Sequence, residues 1–180
     1  MRKSLFVIAA ALLAANPARA LAPSAQAARL NVGADRFVVG GKTDNAGELL
    51  DCAKSEVQHT ILQCSLKPAA LTSASSVGRR VQGAALTLNF KGEIINMSLT
   101  FDAGLAFDVL LSDYKLALEA SPKVQYWADD KHLFESYIWI DGATEVELTR
   151  PLKGPAQEGA VRVYISSLSG DQDLSPEDAR

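Results

Sequence analysis

Apolar and polar residues alternate most regularly in "AALTLNFKGEIINMSLTF", residues 84–101, on both sides of Lys91-Gly92. A hairpin turning at those two residues sets Phe90 opposite Glu93, Leu88 opposite Ile95, Leu86 opposite Met97 and Ala84 opposite Leu99. Leu86, Leu88, Phe90, Ile95, Met97 and Leu99 then share one surface, as a half-buried sheet requires. A second hairpin is predicted in "LFESYIWIDGATEVELTR", residues 133–150, with Asp141-Gly142 as a type I′ turn. It pairs Trp139 with Thr144, Tyr137 with Val146 and Glu135 with Leu148, and its other face carries Phe134, Ile138 and Ile140 beside Glu145 and Glu147. Both of its faces are partly apolar, so one packs on the core and the other is a candidate binding surface. Further strands are predicted at "VQHTILQCSLKP", stopping at Pro68, at "VQYW" and at "AVRVYIS", while "LTSASSVGRR" reads as a small-residue loop.

Helical periodicity occurs twice. Asn45 with Glu48 three positions on has the spacing of a capping box, and Leu49, Cys52 and Ala53 follow on one face, predicting a short helix over 46–55. Asp102 is a candidate cap for a longer helix in which Phe107, Leu110, Leu111, Tyr114 and Leu118 form a stripe. It must end before Ser121-Pro122, because the residue preceding proline is driven out of helical geometry. The resulting expectation is an α+β fold, an antiparallel sheet of about six or seven strands with two helices packed on one face. The order helix, strands, helix, strands suggests two consecutive αβ units. Over residues 45–166 that order resembles tandem helix-plus-meander modules of the beta-lactamase inhibitor protein type and small envelope proteins of the BamE type. The resemblance lies in architecture and carries no functional residue with it.

The N-terminus changes where this fold should operate. "MRKSLFVIAAALLAANPARA", residues 1–20, has the basic start, apolar run and Ala-x-Ala end of a secretory signal. The apolar run of about 11 residues falls short of the roughly 20 that a membrane-spanning helix needs. Residues 21–44 read as a loose lead, 45–168 as a single domain, and 169–180 as an acidic disordered tail. The product is expected to be periplasmic or secreted, with no integral membrane segment after cleavage. Losing Arg2, Lys3 and Arg19 changes 18 basic against 21 acidic residues to 15 against 21, so the formal charge falls from −3 to −6. With Arg79-Arg80 as its only basic pair of note, the chain lacks the footprint of a nucleic-acid binder.

Both cysteines, Cys52 and Cys64, lie in "DCAKSEVQHTILQC". Eleven residues separate them, which excludes a Cys-x-x-Cys redox pair, and two cysteines with His59 and the distant His132 make a poor zinc set. Two thiols exported to an oxidising compartment instead predict a structural disulfide, here from helix to strand. His59 lies on the opposite side of its predicted strand from Cys64. His132 beside Asp129 and Asp130 could shuttle a proton or hold a metal, but Asp-Asp-Lys is ordinary turn chemistry. The sequence contains no nucleophile elbow, phosphate loop or zinc-protease motif and asks for no cofactor. The expected function is therefore a non-enzymatic envelope or secreted binding module, using Phe134, Ile138, Ile140, Glu145 and Glu147 on a protein or envelope component. The alternative is a carrier of a small molecule or lipid, with Tyr114, Trp127 and Trp139 lining a pocket.

Overall fold

The computed structural model describes residues 29–43, 46–55, 58, 60–102, 104–141, 143–153 and 161–168. The expected signal segment, Asn45, His59, Gly142 and the expected acidic tail lie outside them. The described chain is an eleven-stranded antiparallel sheet with three helices, which overturns the expected two helices on six or seven strands. Two of those helices, α1 (Ala46–Leu49) and α2 (Pro68–Leu71), are single turns. Only α3 (Phe107–Leu118) is long enough to cover a sheet face, so the two-unit reading fails as well.

The path through the sheet runs β2 (Asp35–Val38), β1 (Arg29–Val32), β5 (Ala74–Ser76), β6 (Arg79–Leu88), β7 (Ile94–Phe101), β11 (Arg162–Ser167), β10 (Thr144–Lys153), β9 (Leu133–Asp141) and β8 (Lys123–Ala128). Off this path, β3 (Leu50–Lys54) pairs with β4 (Leu62–Leu66), which pairs with β6. β6 is therefore a branch point: Arg79 and Arg80 pair with β5, whereas the stretch from Ala85 to Leu88 pairs with β4.

Two bulges shape the centre. Val81 faces Phe101 and Gly83 faces Thr100, so Gln82 is an extra residue on β6 and both Val81 and Ala84 turn into the core. Thr87 faces Asn96 and Leu88 faces Ile94, so Ile95 is extra on β7. The predicted pairs Leu86 with Met97 and Ala84 with Leu99 form, but Leu88 meets Ile94 instead of Ile95, and Phe90 is exposed. The cause is the turn. Gly92 N–H donates to Asn89 O and Asn89 N–H to Glu93 O, a three-residue loop in which Gly92 supplies the positive φ of 75°. One loop residue more than predicted moves Phe90 out of the ladder.

The expected loose lead contains the β1–β2 hairpin, which sends Leu30, Val32 and Phe37 into the core. The expected loop at 71–80 contains β5 and a tight turn at Val77-Gly78, both at positive φ. The helix expected over 46–55 stops at Leu49, and the chain continues as the edge strand β3. β3 buries Leu50 and exposes the next four residues, so no helical face exists there to pack. Helix α3 has the predicted stripe, all five residues buried, and ends at Glu119 in left-handed geometry. Its first residue follows Ala106 instead of Asp102, whose carboxylate accepts from Gly104 N–H one turn earlier. The buried residues of sheet and helix form one cluster, centred on Leu86, Met97, Leu99, Leu110, Tyr114 and Ile165.

The disulfide joins Cys52 to Cys64, which stand directly opposite each other in β3 and β4. It is thus a strand-to-strand clasp, not a helix-to-strand staple. Its presence fits an oxidising compartment, and among the described residues no helix is long and apolar enough to cross a membrane.

Candidate functional site

The hairpin β9–β10 decides which side chains share a face. Asp141 pairs with Thr144, Trp139 with Val146, Tyr137 with Leu148 and Glu135 with Arg150. Each partner is displaced by two residues from the predicted register, because Asp141, expected in the turn, still pairs, with Thr144. A slip of two preserves side-chain parity, so every residue keeps the predicted face. Trp139, Val146 and Leu148 are buried beneath α3, with Trp139 Nε1–H donating to Ala120 O at 3.0 Å. On the reverse face stand all five candidates, Ile140 opposite Glu145, Ile138 opposite Glu147, and Phe134 opposite Pro151.

β8 completes that face. Trp127 pairs with Phe134, and their rings stack at 4.1 Å between centroids and 17° between planes. Trp127 Nε1–H donates to Ser136 Oγ at 2.9 Å. Since the indole can only donate, Ser136 in turn donates to Thr149 Oγ1 at 2.9 Å, and Thr149 donates to Glu147 Oε1 at 3.1 Å. This relay crosses three strands, satisfies the buried hydroxyls of Ser136 and Thr149, and holds the indole in place against Phe134. Beside it, Ile140 is 67% exposed and Trp127 45%, while Phe134, Ile138, Glu145 and Glu147 are half-buried. The result is a partly exposed aromatic and aliphatic stripe flanked by two carboxylates.

The face toward α3 holds a second polar cluster. Glu135, almost fully buried, accepts from Arg150 Nε at 2.7 Å and from Tyr126 Oη at 3.0 Å, and also interacts with the Tyr137 hydroxyl. Arg150 lies 4.3 Å over the Phe107 ring. Burial pushes the Glu135 carboxyl up, but the Arg150 and tyrosine hydrogen bonds and the Arg150 charge outweigh it and hold the group below the usual carboxylate range. These groups satisfy one another, which makes the cluster a structural clamp between α3 and the sheet.

Replacing Arg150 with methionine is expected to destabilise the protein by about 2 kcal/mol at neutral pH, since it strands a buried carboxylate. The pH dependence should also weaken. In the native protein the lowered value contributes stability that is present above the unfolded carboxyl range and lost as pH falls through the folded value. In the variant only the tyrosine hydrogen bonds oppose burial, so less stability should be lost as pH falls from 7 toward 4. Urea unfolding at both pH values measures this.

The remaining candidates are placed as follows. Asp129 Oδ1 accepts the backbone N–H groups of Lys131 and His132 at 2.8 and 2.6 Å, and His132 Nδ1 lies 3.2 Å away. Those contacts, led by Lys131 N–H, hold the Asp129 carboxyl below its ordinary value. The arrangement is that of a tight turn, and among the described residues no group of three or more acidic, histidine or cysteine side chains could hold a metal. Tyr114 and Trp139 are buried in the core with ring centroids 6.3 Å apart, whereas Trp127 lies on the opposite face. The three aromatics do not line one cavity. Sequence reasoning missed the Trp127 relay and the Glu135 clamp; the alternation of Val124 and Tyr126 against Gln125 and Trp127 was the available signal, but it needed the β8–β9 register to become readable.

No family model, curated protein or solved structure matches this chain.

Proposed function

We propose that this protein is an exported, non-enzymatic binding module that engages a protein partner through the reverse face of β8, β9 and β10. The observation that carries the reading is the partly exposed stripe in which Trp127 and Ile140 are open to solvent and Phe134 and Ile138 are half-buried. Solvent-exposed apolar residues clustered in this way mark interaction sites, and aromatic side chains held rigid by stacking and hydrogen bonding make good anchors. Glu145 and Glu147 border the stripe and favour a partner surface with an apolar centre and a basic rim. The signal-like segment at residues 1–20 and the Cys52–Cys64 bond agree with action in the periplasm or outside the cell.

Ile140→Asp tests the reading, because Ile140 is largely exposed and its substitution should alter stability by no more than about 0.5 kcal/mol. The expected outcome is an unchanged far-ultraviolet spectrum and loss of a partner that the wild-type protein cross-links in envelope extract. The same partner, purified, should bind the variant at least about tenfold more weakly, a difference of about 1.4 kcal/mol. Equal binding by variant and wild type would remove this face from the interaction. Ile138→Asp should act likewise if its half-buried position tolerates the charge.

A further inference from the structure

The sheet ends at β8, which pairs with β9 alone among the described residues and exposes all six of its own. Its pairing runs without a shift from Lys123 opposite Ile138 to Ala128 opposite Leu133. Just beyond, Asp129 N–H donates to His132 O at 3.0 Å, which fixes the phase of the ladder. In an antiparallel pair, successive residues alternately direct their N–H and C=O toward and away from the partner strand. Counting back from Asp129, residues 127, 125 and 123 face β9. The backbone groups of Val124, Tyr126 and Ala128 therefore point out from the edge, three donors and three acceptors in a row.

An edge of this kind is normally protected by charge, proline or a bulge. The other free edges have such protection: β2 carries Asp35 and Arg36 within four residues, and β3 carries Asp51 and Lys54. In β8 the only charge is Lys123 at its start, and the exposed side chains include Val124, Tyr126 and Trp127 at 43, 64 and 45%.

We propose that the outer edge of β8 is a strand-addition site whose occupant is β8 of a second copy of this chain, antiparallel about a two-fold axis through Tyr126. A two-fold interface requires a self-complementary edge. In this register Tyr126 faces its counterpart, Val124 faces Ala128, Gln125 faces Trp127, and Lys123 faces Asp129. Every outward donor then meets an outward acceptor, and opposite charges meet at both ends. Centring the pair on Gln125 instead would face Ala128 with Pro122, which has no N–H to give its carbonyl. The proposal concerns the sheet edge and does not rest on the partner face of the preceding subsection.

The experiment is sedimentation equilibrium on the protein in the form the cell exports, with four variants. The wild type is expected to dimerise with a dissociation constant of order 10–100 µM, as suits a small interface. Val124→Pro removes an outward N–H while leaving the ladder to β9 intact. Losing the two symmetry-related hydrogen bonds should weaken the dimer by about tenfold or more, with an unchanged far-ultraviolet spectrum. Tyr126→Cys should form a covalent dimer on mild oxidation, and Gln125→Cys should do so far less. A monomer up to about 1 mM, roughly tenfold above the expected range, would overturn the proposal. So would a folded Val124→Pro variant that dimerises as the wild type does, or equal cross-linking at positions 125 and 126. Ile140→Asp should leave the dimer intact, which separates failure of this proposal from failure of the partner-face reading.

Discussion

Replacing Tyr114 with alanine is expected to destabilise the protein by about 4 kcal/mol, the range for truncating a large side chain in a closed core. Tyr114 is completely buried at the centre of α3, and its ring packs 6.3 Å from that of Trp139. Its hydroxyl donates to Ser76 Oγ at 3.2 Å, leaving the Ser76 hydroxyl to donate to Arg29 O at 2.8 Å. One residue thus links the helix to β9 through its ring and to β5 and β1 through its oxygen. Tyr114→Phe separates the two roles, and with Ser76 keeping its bond to Arg29 it should cost only about 1 kcal/mol. Urea unfolding followed by tryptophan fluorescence reads both, and equal losses would refute the packing argument. Burial, only partly offset by Ser76, raises the Tyr114 pKa far above its ordinary value. A raised value contributes stability below the unfolded pKa of about 10 that is lost above it, so the advantage over Tyr114→Phe should shrink in strong alkali.

The second large effect concerns the clasp at the β3 edge. Replacing Cys52 and Cys64 together by alanine should cost about 3 kcal/mol, the chain-entropy value for so short a loop. The bond joins residues that already face each other in the ladder, so its loss should loosen the β3–β4 wing without redirecting it. Hydrogen exchange in β3 and β4 should accelerate more than in β7 or β11. Intact mass without reductant should show no alkylatable thiol in the native protein. Two alkylated thiols would mean that the bond does not form.

The reach of the sequence depended on how much each element buries. Helix α3 was readable because one face of it is covered throughout, and the stripe from Phe107 to Leu118 is the imprint of that burial. The candidate face on β9 and β10 was readable despite the wrong register, since an even slip leaves Phe134, Ile138 and Ile140 together with Glu145 and Glu147. Strand β3 was not, because an edge strand that buries only Leu50 has no alternation to show, and Leu49, Cys52 and Ala53 matched a helical spacing by coincidence. The β1–β2 hairpin was missed for want of length: four residues per strand give too few alternations to distinguish Leu30 and Val32 from an irregular lead. The bulges at Gln82 and Ile95 shift phase within a strand, which no fixed period can anticipate. The Trp127 relay depends on three strands meeting in register, and that information is not local.

The pairing of β7 with β11 governs the order in which the chain can reach its native state. Thr100 must find Arg162, and everything between them, α3 and the strands β8 to β10, intervenes. Until β11 arrives, β7 has an open side and the buried row of Met97, Leu99 and Phe101 lacks part of its cover. Such sequence-distant closure makes folding slow and leaves the half-finished chain prone to stick to others. A polypeptide that emerges N-terminus first presents β11 only after β1 to β10, so this core closes no earlier than the arrival of the last described strand.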